Sequence, residues 1–191
     1  MDASPAIRAS AVRDTLAFLD KFEPGTRAKV MALVPDESRE VIESTPRSAW
    51  IGVEHDHYTI DAIIHILGRR RAITCWRDAV ADLVHKPLLK AFVSGMLTVV
   101  GRDPERVVGL FVKAWPLVYR GLCEPRLTTH DGGPPTIRFD RLAPEMRLHR
   151  NYFDSWDGVC QGFAHLAQVQ GFVHFSIAQD VTWAEARFSW D

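Results

Sequence analysis

The last third of the chain constrains the fold most, because a helical apolar pattern there runs directly into two strand patterns. Trp156, Val159, Cys160, Phe163, Leu166 and Ala167 recur at the spacing of one helix face. Gly171 closes that stretch, and 172–179 and 183–190 then alternate with a period of two. Val173, Phe175 and Ile177 share one face of the first strand, and Ala184, Ala186, Phe188 and Trp190 one face of the second. Glu185 and Arg187 lie on the other face of the last strand, toward solvent or a polar surface. A long helix followed by an antiparallel hairpin, ending one residue before the terminus, predicts a compact close to the chain.

The preceding two thirds read as helices. Val12, Leu16, Leu19 and Phe22 are helically spaced and stop at Glu23-Pro24-Gly25. A second helix runs to about Leu33, and a third begins near Pro35 with Asp36, Glu37 and Glu40 placed to favour its dipole. Trp50 to Val53 reads as a short strand or extended connector. Ile60, Ile63, Ile64 and Leu67 form an apolar stripe ended by Gly68, and Trp76, Ala79, Val80 and Leu83 repeat it. Leu88, Leu89, Phe92, Val93, Met96 and Leu97 predict a central helix. Asp103-Pro104 starts another, with Val107, Leu110, Phe111, Ala114, Trp115 and Val118 buried and Pro116 predicting a kink or an early end. Residues 128–135 are read as a loop and 136–142 as a strand.

Helices followed by strands, without strict alternation, give an α+β class: a helical N-terminal two thirds packed with a small C-terminal antiparallel sheet covered by a long helix. One domain is expected over 1–191, mainly helical in 1–121 and strand, helix and hairpin in 136–191. Two glycines, Gly158 and Gly162, sit four residues apart inside the long helix, where each costs about 1 kcal/mol relative to alanine. Close approach of another backbone offsets that cost. The approaching element is the sheet, another helix or a second copy of the chain, which makes these glycines the candidate homodimer interface.

Composition excludes several functions. With 191 residues, 47% hydrophobic and 25% charged, the chain can bury a sizeable core. A net charge of -1 lacks the cationic excess that nucleic-acid binding needs. No apolar run reaches the roughly 20 residues of a membrane span, and Met1 to Ser10 lacks a signal-peptide core, so a cytoplasmic location is expected. Cys75, Cys123 and Cys160 are too scattered for a disulfide framework or a zinc knuckle. Cys75 and Cys160 read as core residues and Cys123 as an exposed thiol.

The densest cluster of candidate metal ligands is Glu54-His55-Asp56-His57 with Asp61 and His65 beyond, of which His55, His57, Asp61 and His65 are the candidates. Asp61 and His65 share a helix face, but that face opposes the apolar stripe, so solvated side chains are expected and no metal site. Asp154 and Asp157 read as helix caps, and Arg69-Arg70-Arg71 as a solvated helix start. No nucleophile elbow, phosphate loop, metalloprotease motif or dinucleotide fingerprint is present, so no enzymatic activity is expected.

Leu16-Ala17-Phe18, Arg27-Ala28-Lys29-Val30, Leu33-Val34-Pro35, Ser48-Ala49-Trp50, Val107 to Trp115, Trp156-Asp157-Gly158 and Ala186-Arg187-Phe188-Ser189-Trp190 resemble a family of domains of unknown function found mainly in myxobacteria. These are packing and turn residues and carry no catalytic motif. In layout, helices followed by a helix-covered antiparallel sheet, the chain is similar to the superfamily of haem nitric-oxide sensors, 4-vinyl-reductase-type ligand domains and vesicle-trafficking subunits. That second resemblance implies a haem held by an axial histidine in an apolar pocket, for which His85 is the first candidate and His149 and His165 the others. The expected function is a non-enzymatic regulatory or protein-interaction module acting on a protein partner or on itself as a homodimer, with no cofactor. The alternative is a sensor holding an apolar ligand or haem between helices and sheet, lined by Phe92, Met96, Phe111, Trp115 and Phe163.

Overall fold

In a computed structural model describing residues 4–83, 103–130, 133–167 and 171–190, the chain opens on a short strand, β1 (Ala6–Arg8). Helix α1 (Ala9–Phe22) follows, burying Val12, Leu16 and Leu19 at the expected spacing. Gly25, at φ +79, makes the left-handed turn into α2 (Thr26–Leu33), and α3 (Asp36–Ser44) carries Asp36 and Glu37 in its first turn. β2 (Trp50–Gly52) pairs antiparallel with β1, and the Arg8 guanidinium lies 3.9 Å from the Trp50 ring centroid.

Helix α4 (Val53–Leu67) starts directly after β2, so residues 54 to 57 belong to its first turn. Its end at Gly68, φ +75, leads straight into α5 (Arg69–Leu83). Asp103 caps α6 (Pro104–Val118) by accepting from the Arg106 N–H at 3.0 Å. Pro116 does not end α6 at once; the helix runs two residues further and passes into β3 (Tyr119–Arg120), which pairs with β1 to complete a three-stranded sheet β2-β1-β3.

The C-terminal sheet has the order β4-β5-β7-β6, all antiparallel: β4 (Glu124–His130), β5 (Gly133–Asp140), β6 (Gly171–Ile177) and β7 (Ala184–Trp190). The expected loop over 128–135 is replaced in part by β4 and the start of β5. Pro125 is tolerated because β4 is an edge strand, and Leu127 sits opposite Ile137 and packs on Gly109 of α6. The hairpin register puts Val173 opposite Phe188 and Phe175 opposite Ala186, so the apolar faces read from the sequence coincide. Between β5 and β6, α7 (Tyr152–Leu166) covers the sheet, with Trp156 and Cys160 fully buried. The α+β class is therefore as expected. No helix among the described residues is long and apolar enough to cross a membrane.

Gly158 and Gly162 face α5 of the same chain. A Cβ on Gly158 would lie 2.6 Å from the Ile73 carbonyl oxygen, and one on Gly162 would lie 2.4 Å from a Val80 methyl and 2.7 Å from the Arg77 carbonyl. Of the three approaching elements, it is another helix that fills this space, so the face read as a homodimer contact is internal. Gly158→Ala must push backbone apart, and a loss of about 1–3 kcal/mol is expected in urea denaturation. Gel filtration of the folded variant should match the parent.

Candidate functional site

Where the front helices meet α6 and α7, the chain leaves a cavity of about 120 Å³. Five helices, α1, α4, α5, α6 and α7, contribute its walls, with Ile7 of β1 and Tyr119 of β3. Ile60, Ile63, Val80, Phe111, Trp115 and Phe163 make the lining predominantly apolar. Among the described residues, the four-stranded sheet adds none to the lining.

The α6 stripe delivers Phe111, Ala114, Trp115 and Val118 because they recur one turn apart, and α7 meets them with Val159 and Phe163. Phe111 and Phe163 stack edge to face at 5.6 Å, and Trp115 lies 4.4 Å from Tyr119 and 5.0 Å from Trp156, between centroids. Of the five pocket residues expected from the sequence, Phe111, Trp115 and Phe163 line this cavity; Phe92 and Met96 lie outside the described residues.

A few polar groups interrupt the apolar wall. Asp56 is buried on α4, and the Tyr152 hydroxyl donates to its Oδ2. Burial raises the Asp56 carboxyl from 3.8 to about 7, against the opposing pull of that hydrogen bond, so it keeps its proton near neutrality. Burial also drives the Tyr119 and Tyr152 phenols well above their usual value, with the Asp56 charge adding to both. Asp14 is buried too, but Arg47 pairs with it at 2.7 Å. The Trp115 indole Nε1 is sealed from solvent and has no acceptor among the described residues. Asp56 falls one turn before Ile60 on the apolar face of α4, and that spacing was the available signal.

The other expected residues are dispersed. His57 is buried, stacks on His149 at 3.8 Å and is held neutral, its imidazole lowered to about 3 by burial and then by His149. His55 contacts the Ser38 hydroxyl at 2.9 Å, Asp61 accepts from the Asn151 amide, and His65 and His165 are exposed. Among the described residues no group of three or more His, Cys, Asp or Glu side chains is placed to hold a metal ion. His85 lies outside the described residues. Asp154, read as a cap, instead takes both Nε and Nη2 of Arg69 at 3.0 and 2.8 Å, so Arg69 is not merely a solvated helix start. Cys123, read as exposed, is half-buried, and burial pushes its thiol up as it does those of Cys75 and Cys160.

A haem needs an axial imidazole, thiolate, thioether or phenolate. None of the described residues lining the cavity is His, Cys or Met, and the one phenol, Tyr119, holds its proton. The described lining supplies no such ligand, and residues 84–102, His85 among them, lie outside the described residues. The described lining fits a compact molecule: a cavity of this size is close to an engineered, Leu/Ile/Phe-lined one of about 150 Å³ that binds benzene or xenon.

No family model and no curated protein matches the chain, so the expected likeness to the myxobacterial domains is not supported. Solved structures do match. An H-NOX domain from work on heme distortion in its family aligns over 96% of this chain and 95% of its own, at 10% identity and a TM-score of 0.57. A Cs H-NOX domain carrying 4-cyano-L-phenylalanine aligns over 96% of both chains at 14% identity and 0.53. A variant of the T. tengcongensis H-NOX domain aligns over 96% and 97% at 14% and 0.53. These likenesses agree with the layout resemblance to haem nitric-oxide sensors. They overturn two expectations drawn from the sequence: that an interaction module comes first and a ligand sensor second, and that no bound group belongs to the chain. At these identities what is shared is the fold: along nearly its whole length, the chain is folded as an H-NOX domain is.

Proposed function

We propose that this chain is a small-molecule sensor domain whose ligand is a compact apolar molecule held in the cavity between α1, α4, α5, α6 and α7. The observation that carries the reading is the cavity itself, apolar in most of its wall and supplied with a few buried polar groups, as ligand sites are. The H-NOX likeness, to a domain studied for heme distortion, supports a bound group in this fold.

One domain over 1–191 carries the function, without catalysis, in the cytoplasm, where three free thiols persist. Because front helices and α6 and α7 wall the same cavity, a guest contacts both parts at once. Any shift in their packing that improves those contacts is favoured by occupancy, and that differential is what a sensor passes to a protein partner.

Thermal unfolding with added benzene, and absorbance with added haemin, test the proposal. Benzene should raise Tm with concentration as mass action requires, and the Soret absorbance reads whether haemin is taken instead. No stabilisation by benzene, phenol or another compact probe would contradict a ligand site here. A one-to-one haemin complex would replace the compact guest by haem.

A further inference from the structure

Resting on the sensor reading, we infer that the outer face of the three-stranded sheet β2-β1-β3 is the surface on which an acidic segment of a partner protein docks. Successive residues of a strand point to opposite faces, so a sheet with one side on the cavity has its other side outward. Ile7 and Tyr119 line the cavity, and the residues that follow them, Arg8 and Arg120, lie on the outer side. The register sets Trp50 opposite Arg8, and Arg120 opposite Ala6, which shares the face of Arg8. Both guanidinium groups rest on the half-buried Trp50 ring, Arg8 at 3.9 Å and Arg120 at 4.9 Å from its centroid.

Two cations held on one ring repel each other, and among the described residues neither has an ion-pair partner. Arg8 is steadied by backbone instead. Its Nε donates to the Leu117 carbonyl at 3.2 Å and its Nη1 to the Ser48 carbonyl, which leaves Nη2 for a ligand. Arg120 is exposed. Carboxylates near this face are engaged elsewhere: Asp14 holds Arg47 at 2.7 Å, and Glu54 folds over Gly52, 3.8 Å from the His55 imidazole. Arg71, Arg106 and Arg141, by contrast, each have a carboxylate of their own.

Charge and size choose the occupant. Anionic membranes are recognised by clusters of roughly four to eight Lys and Arg, and nucleic acids by cations that neutralise several phosphates. This face offers two arginines, has Glu54 at its Gly52 end, and belongs to a chain of net charge -1. A pair of carboxylates on a protein segment matches two guanidinium groups, and Trp and Arg are the residues that carry most binding energy at protein interfaces. A guest that shifts Ile7 or Tyr119 moves Arg8 or Arg120 with it, so occupancy of the cavity changes how well the two cations fit that segment.

The test titrates the ¹⁵N-labelled full chain with hexaglutamate at low ionic strength, and repeats the titration on Arg120→Gln and Arg70→Gln. Each variant loses one exposed positive charge, and Arg70 lies beyond the far end of α4, about 22 Å from β2. Circular dichroism verifies the fold of both. Saturable shifts of the Trp50 indole N–H and the Arg8 and Arg120 amides are expected, reversed as salt is raised. Affinity should fall about fivefold in Arg120→Gln and stay within about twofold of the parent in Arg70→Gln. Saturating benzene should change the parent's affinity for the peptide by about fivefold. Equal weakening in the two variants, or no binding of hexaglutamate at Trp50, overturns the docking surface. Tighter, Arg120-dependent binding of phosphatidylserine vesicles or of oligothymidylate overturns the acidic segment as its occupant. Peptide binding that benzene leaves unchanged, in a chain that benzene stabilises, overturns the link between surface and cavity. Arg120-dependent peptide binding in a chain that no compact probe stabilises supports the docking surface and contradicts the sensor reading.

Discussion

Replacing Asp56 by asparagine is expected to stabilise the folded chain at pH 8 and to change little at pH 4. The folded carboxyl titrates near 7 because it is buried, whereas the unfolded one titrates near 3.8. Below pH 3.8 both states hold the proton and no penalty exists. Between about 4 and 7 the unfolded chain releases its proton while the folded chain keeps it, so stability falls as pH rises. Above pH 7 the loss levels off at roughly 4 kcal/mol, from about 1.36 kcal/mol for each unit of displacement. Asparagine keeps an acceptor for the Tyr152 hydroxyl and removes the titration, but its amide N–H groups need partners of their own. A net gain of about 2 kcal/mol at pH 8, absent at pH 4, is the expected outcome in urea denaturation. An equal effect at both pH values would show that Asp56 does not titrate in this range.

Trp156→Ala is expected to cost about 3–5 kcal/mol and to leave the chain poorly folded at 37 °C. Trp156 is 1% exposed and joins three parts of the core. Its ring stacks on Phe139 of β5 at 4.9 Å, meets Trp115 of α6 edge to face at 5.0 Å, and meets Phe153 at 5.4 Å. Removing it empties the point where sheet, α6 and α7 converge, and neighbouring rings held by their own helices cannot collapse into the space. Thermal unfolding followed by near-UV circular dichroism reads the effect. A loss below about 1 kcal/mol would mean that this aromatic cluster is loosely packed.

Much of the architecture was legible because period decides face. The α1, α6 and α7 stripes and the β6–β7 alternation each carry enough apolar residues to set helix or strand and its buried side. The edge strand β4 was not legible: Pro125 and the glycines and prolines after it read as a loop, while only Leu127 signals an inward face. The glycine pair was legible as a close approach, but the partner was not, since no local pattern says which helix arrives. Of the residues lining the cavity, Phe111, Trp115 and Phe163 stand on stripes legible in the sequence, whereas Asp56 stood there only as one of a cluster of metal-ligand types. Its burial depends on Tyr152, 96 residues away, whose hydroxyl satisfies it. The place of Asp56 one turn before Ile60 marks the apolar face of α4, but among Glu54, His55 and His57 it reads as one more solvated group. The orphan Nε1 of Trp115 is likewise a property of assembled helices and of no sequence window.

The central claim, that the cavity between the front helices and α6 and α7 is a ligand site, is tested most directly by methyl NMR of isoleucine-labelled protein during titration with phenol. Ile7, Ile60 and Ile63 line the cavity, whereas Ile42 and Ile137 are equally buried elsewhere and Ile177 lies in the hairpin. Saturable shifts of the Ile7, Ile60 and Ile63 methyls, with Ile42, Ile137 and Ile177 unmoved, are what the account predicts. Shifts confined to Ile137 and Ile177, or none at any phenol concentration that leaves the chain folded, would contradict it.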